Sequence, residues 1–142
     1  MGRVDFKRGR FGIGLETRSI EQGLRGWQSL TGDLVDYWRL LHETGIRPQR
    51  HYLLYPNPWP KVGQLHRRWH GHAVFPTMLA LGGYFECRSN WRIYIDECAA
   101  AIAQLSGKAL AGEAFETDSP ITPFERKYTE SGHALWRCRV AL

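Results

Sequence analysis

The chain has 142 residues, 43% apolar and 13% aromatic, and a formal net charge of +5. That length suits one domain with a real core, and no stretch approaches the ~20 consecutive apolar residues of a membrane span. The basic start, MGRVDFKRGRFGIG, lacks the apolar centre of a secretory signal, so a soluble, cytoplasmic protein is expected.

The charge is uneven. Residues 1–30 carry six Lys/Arg against three acids, and residues 61–92 carry five against one. Residues 31–60 balance at three each, and residues 93–142 carry five against seven. A basic middle of this kind suits a polyanionic partner, although many basic segments are simply solvated surface. Cys87, Cys98 and Cys138 are odd in number, far apart and in no C-x-x-C, so reduced thiols are expected rather than a disulfide frame or zinc site.

Residues 1–30 hold six glycines and little apolar periodicity, and they read as irregular. From Thr31 the pattern sharpens. Leu34, Tyr37, Trp38 and Leu41 fall on one helical face, with Thr31 or Asp33 able to cap its start and Gly45 to stop it. HYLLY, 51–55, is a short apolar run ended by a proline and reads as a buried strand. Residues 64–81 suggest a helix in two pieces, broken at Gly71 and Pro76. Gly82-Gly83 makes a turn into the strand YFECR, 84–88. Ser89 or Asn90 then caps a helix with the stripe Ile95, Cys98, Ala99, Ile102 and Leu105, ending at Gly107. A strand is expected at about 112–117, then a loop with Pro120 and Pro123, then a strand over 134–140. Alternating helices and strands predict an α/β fold, mostly parallel with an antiparallel end. In such sheets ligands bind beyond the carboxyl ends of the strands.

Just beyond the first of these strands stands PNPWPK, 56–61. Pro56 and Pro58 fix their own φ and push the residue before each out of the helical region. Asn57 is left with few backbone states, and its amide, one acceptor and two donors, suits the edge of a base. Trp59 offers a face for stacking, or it simply closes a core.

This segment, YLLYPNPWPK followed by the basic QLHRRWHGH, resembles the tRNA (guanine-N7)-methyltransferase family, whose stretch reads roughly FPDPWPK before a basic run. Two later segments agree. SNW, 89–91, is similar to the family's TDW, and TPFERKYTESGH, 122–133, is similar to its terminal T-x-F-E-R and Gly-His pair. The resemblance implies a Rossmann-like class I sheet and methyl transfer from S-adenosylmethionine to guanine N7 of tRNA. It implies a catalytic, cofactor-touching Asn57 where the family has an aspartate, and substrate-binding Lys61, Asn90, Thr122, Phe124 and Glu125. Asp33 lies at the spacing of an acid near the cofactor. Guanine N7 carries a lone pair and no proton, so alignment with the methyl is the main demand and no general base is needed. A carboxylate would help the moving positive charge, and both Asn57 and Asn90 replace acids.

The family's front departs from this pattern. Its glycine-rich cofactor loop precedes the Asp33 position by at least about 50 residues, because two strands and two helices must fit between. Only 32 residues precede Asp33 here, and GRFGIGLE, 9–16, has no strand–turn–helix context. The expected organisation is therefore residues 1–30 unrelated to the family and residues 31–142 the C-terminal part of a methyltransferase domain, without the cofactor-loop strands. A non-catalytic RNA-binding remnant or an inactive fragment of that family is the alternative. His66, His70 and His72 are spaced for a metal only in part, Gly71 breaks the helix between them, and no metal is expected. With Arg67 and Arg68 they read as an RNA-facing surface.

Overall fold

A computed structural model of the chain describes residues 33–142 in full, and the backbone of three strands before them. Those strands, β1 (Phe6–Lys7), β2 (Arg10–Arg18) and β3 (Arg25–Gly32), pair antiparallel in the order β1-β2-β3. The β2–β3 register runs from Phe11 opposite Gly32 to Arg18 opposite Arg25. Backbone pairing thus occurs in the segment that the sequence reads as irregular, and residues 30 and 31 both lie in β3.

Helix α1 (Leu34–Glu43) follows, capped by Asp33, whose Oδ1 accepts from the Val35 N–H at 2.8 Å. It buries Leu34, Trp38 and Leu41, the stripe seen in sequence. A short connection leads to β4 (Arg50–Leu54). Two 3-10 turns, Val62–Arg67 and Trp69–Gly71, replace the first expected helical piece. Pro76 does not break a helix. It lies in the first turn of α2 (Phe75–Ala80), where its missing N–H costs nothing.

The turn into β5 (Tyr84–Ser89) uses Gly83 at φ 77°, and a Cβ there would lie 2.1 Å from the Pro48 carbonyl oxygen. Helix α3 (Arg92–Ser106) ends at Gly107 in the left-handed region. Strand β6 (Glu113–Phe115) precedes α4 (Pro123–Glu130) and β7 (Leu135–Ala141). The sequence reading has a loop where α4 stands. Thr122 caps α4, Pro123 opens it, and the Glu125 N–H donates to Thr122 Oγ1 at 3.0 Å.

The main sheet has the order β4-β5-β7-β6. Only β4 and β5 are parallel; β7 runs antiparallel to both β5 and β6. The fold is mixed α/β, with less parallel sheet than the alternation suggests. One face packs Leu53, Phe85, Cys87 and Cys138 against α1, α2 and α3. The other gathers Leu54, Tyr55 and Leu135 with Phe115, Ile121 and Tyr128. The three cysteines are free and buried. Among the described residues no helix is long and apolar enough to cross a membrane.

Candidate functional site

Strands β4 and β5 end side by side, Leu54 opposite Arg88, and the Tyr55 N–H donates to the Arg88 carbonyl at 2.8 Å to extend the pairing. The chain then enters Pro56-Asn57-Pro58. Asn57 is exposed, and its Oδ1 accepts from the Trp59 N–H at 3.2 Å. A backbone N–H only donates, so this bond fixes which way the amide faces. The Asn57 nitrogen, with both its donors, has no protein partner among the described residues. The outward face of this side chain is therefore a donor face, narrower than the mixed donor and acceptor edge expected from sequence.

Two residues of this loop carry positive φ, Tyr55 at 49° and Trp59 at 44°. Bulky side chains rarely adopt that region, and each instance costs about 1–3 kcal/mol unless its surroundings impose it. Both precede prolines, and the sequence reading placed Tyr55, before Pro56, merely outside the right-handed helical region. The surroundings supply the reason for the left-handed turn. Tyr55 is buried and its hydroxyl donates to Glu125 Oε1 at 2.7 Å. The carbonyls of Pro58 and Trp59 accept from the Arg68 guanidinium at 3.0 to 3.3 Å.

Arg68 is therefore not part of an RNA-facing surface, as its place in a basic run suggested. It is 4% exposed, paired with Glu97, and its guanidinium lies 5.7 Å from the Trp91 ring centre. Burial opposes ionisation of Glu97, but the bonds from Arg68 and from His70 Nε2, the latter at 2.9 Å, outweigh it and hold the carboxyl below its usual range. Arg67 does reach solvent, with its guanidinium 5.0 Å from the Trp59 ring centre, a cation–π arrangement.

Glu125, expected at the edge of a bound guanine, is 0% exposed. One carboxylate oxygen accepts from Tyr55 and from Arg88 at 3.0 Å, and the other from the Ile121 N–H at 2.7 Å. Its acceptor capacity is turned inward. Arg88 also bonds the buried Glu86 at 2.7 Å. Burial and the bond to Glu125 both push the Tyr55 hydroxyl above its ordinary range, so it remains a donor.

The other sequence-predicted positions are spread along the same carboxyl side. Asn90 directly follows β5 and is partly exposed, and Lys61 is exposed at the start of the first 3-10 turn. Thr122 is buried as the α4 cap, while Phe124 stands 40% exposed beside it. Asp33 is exposed and caps the start of α1. The β4–β5 end thus brings together Asn57, Asn90 and the Thr122–Glu125 segment, with Glu125 as support.

This geometry can be set beside known proteins. The chain is 29% identical over 141 residues to a tRNA (guanine-N(7)-)-methyltransferase of Nitrosococcus oceani, taking in 92% of this chain and 57% of that protein. A protein of the same name from Zymomonas mobilis is 27% identical over 136 residues, at 89% and 58%. One from Treponema pallidum is 29% identical over 133 residues, at 89% and 52%. Over most of its length the chain is similar to tRNA (guanine-N7)-methyltransferases. It spans about half the length of these curated relatives, and no family model matches it.

Similarity to these methyltransferases extends further forward than the motifs do. Residues 31–142 are 112 of the 142, under four-fifths of the chain, whereas the first match takes in 92%. Part of residues 1–30 therefore lies within the matched region. Arg88, Glu97 and Tyr55 were missed as site residues. Arg88 and Glu97 are common residue types in an ordinary strand and helix, Tyr55 directly follows a strand, and only partners far along the chain reveal their roles.

Proposed function

We propose that the chain serves S-adenosylmethionine-dependent methyl transfer to guanine N7 of a tRNA, with residues 31–142 forming the C-terminal part of the methyltransferase domain. The observation that carries this is the Asn57 amide, exposed beyond a parallel strand, fixed in orientation and showing its donors outward. A guanine presents two acceptors, O6 and N7, on one edge. Asn57 donating to O6 holds that edge in plane and leaves the N7 lone pair clear.

The residues present fit a cofactor with both donors and acceptors: the Asp33 carboxylate as an acceptor, the Asn57 amide as a donor. When bound, the cofactor supplies a methyl group on a sulfonium. The chain's own contribution is orientation. Asn57 sets the base edge, Asn90 and the exposed Phe124 bound the pocket, and Thr122 holds the start of α4 in place. Lys61 and Arg67 add surface charge for the RNA backbone and a salt-dependent contact. A cytoplasmic location is part of the same proposal.

The second reading, an RNA-binding module without catalysis, draws on the half-length match and the same two cations. Calorimetric titration with S-adenosylmethionine, with and without tRNA, separates the two. Saturable cofactor binding, with methylation lowered about 10–100-fold by Asn57→Ala, supports the enzyme. Salt-dependent tRNA binding with no cofactor binding supports the module instead.

A further inference from the structure

The loop from Tyr55 to Lys61 contains three prolines and only four backbone N–H groups, so it has few bonds of its own with which to hold a shape. Its two left-handed residues, Tyr55 and Trp59, flank Asn57 symmetrically, two positions to either side. Each is also where a charge network grips the loop. On one side Glu125, itself held by Arg88 and the Ile121 N–H, accepts from the Tyr55 hydroxyl. On the other, Arg68, paired with Glu97, donates to the carbonyls of Pro58 and Trp59. A planar guanidinium can bond two carbonyls and a carboxylate at once, and an ammonium cannot reproduce that fork.

We infer that these two networks form a brace that sets the angle of Asn57, so that Arg68, Glu97 and Glu125 are positioning residues rather than contacts to RNA or base. The inference rests on Asn57 as the base-orienting residue. The side chains that the sequence pattern offers as ligand contacts have become the frame. Arg68 takes its place inside because the loop carbonyls, left without N–H partners by the prolines, need a buried donor. Glu97 completes the frame by neutralising Arg68, and the Trp91 ring covers the guanidinium.

The test uses the full chain labelled with 5-fluorotryptophan and observed by fluorine NMR. Trp59→Phe assigns the Trp59 line, and Trp136, which packs against Arg92, serves as the internal reference. Arg68→Lys and Glu97→Gln are expected to shift and broaden the Trp59 line while the Trp136 line holds. Glu97 is 40% exposed, so its variant is expected to fold even where a change at Arg68 is disruptive. In methylation assays both variants should lower kcat about tenfold or more with the KM for tRNA unchanged. The salt slope of tRNA binding should be unchanged in Arg68→Met, whereas loss of a phosphate contact would reduce it by about one. An unmoved Trp59 line in both Arg68→Lys and Glu97→Gln, or a slope reduced by about one, overturns the brace. Absence of methylation by the unaltered chain defeats the proposed function and leaves the Trp59 line to decide the brace.

Discussion

Acidification from pH 7 to pH 5 should destabilise this protein through one core histidine. His51 lies on β4 with its ring edge-on to Phe85 at 5.1 Å, and its Nε2 is buried with no hydrogen-bond partner among the described residues. Burial pushes its pKa down to about 4, with a hydrogen bond to the Gly82 backbone offsetting only part of that. The unfolded chain takes up the proton near pH 6.5, whereas the folded chain resists until about pH 4. The stability contribution is therefore complete above the unfolded value and is lost as pH falls towards the folded one. A gap of about 2.5 units corresponds to about 3 kcal/mol, of which about 2 kcal/mol disappears between pH 7 and pH 5. Urea melts followed by tryptophan fluorescence at pH 7, 6 and 5 measure this. His51→Leu, which keeps an apolar side chain in the site, should remove most of the slope. His70 is also pushed down by burial, with Glu97 pulling the other way, and it accounts for any slope that remains. Glu97 and Glu113 are held below the carboxylate range, so their losses begin below this window. A wild-type change under about 0.5 kcal/mol, or a full slope retained in His51→Leu, would refute the reasoning.

Three further outcomes can be checked by denaturation. Tyr55→Phe leaves a buried carboxylate short of one donor and should cost about 1.5–3 kcal/mol, whereas Tyr84→Phe, whose hydroxyl reaches Glu86 only at 3.4 Å, should cost under about 0.5 kcal/mol. Gly83→Ala should abolish folding, because its Cβ overlaps the Pro48 carbonyl oxygen at 2.1 Å. Gly107→Ala has no atom within 4 Å and should lose only the left-handed preference, about 1–2 kcal/mol. Thr122→Ala removes the α4 cap and should cost about 1 kcal/mol, with the change confined to midpoint rather than slope.

The parts legible in sequence were those with apolar periodicity. The α1 stripe and the α3 stripe, in which Ile95, Cys98, Ala99 and Ile102 are buried, are repeated in the core. Helix α4 escaped because its one buried residue is Glu125, which gives no apolar stripe. Its signals were chemical: a threonine cap, a proline at the first helical position and a glutamate three residues after the cap. The hairpin of β2 and β3 escaped for a different reason: Phe11, Ile13 and Leu15 do alternate in sequence, but Gly12 and Gly14 between them read as breakers rather than as the second face of a strand. At the site, the position of Asn57 beyond a strand was legible from prolines alone. The inward turn of Arg68 and Glu125 was not, because it depends on partners 9 to 70 residues away.

The amide at position 57 is best understood together with its frame. On the proposed function, a carboxylate there would add negative charge where positive charge passes from sulfur to a base, and that help works at a distance and tolerates small errors of angle. An amide has no net charge to contribute. Its value lies wholly in a directed hydrogen bond, which weakens steeply as the angle departs from linear. A chain that uses asparagine must therefore spend more of its structure on holding the angle. The pattern around Asn57 meets that need: three prolines, two left-handed residues and two ion networks converge on seven residues of loop. If the frame compensates for the missing charge, Asn57→Asp should gain less from its carboxylate in the braced chain than in one loosened by Glu97→Gln. A methylation assay of the single and double variants measures that difference directly. Strict additivity of the two substitutions would mean that frame and side chain act independently.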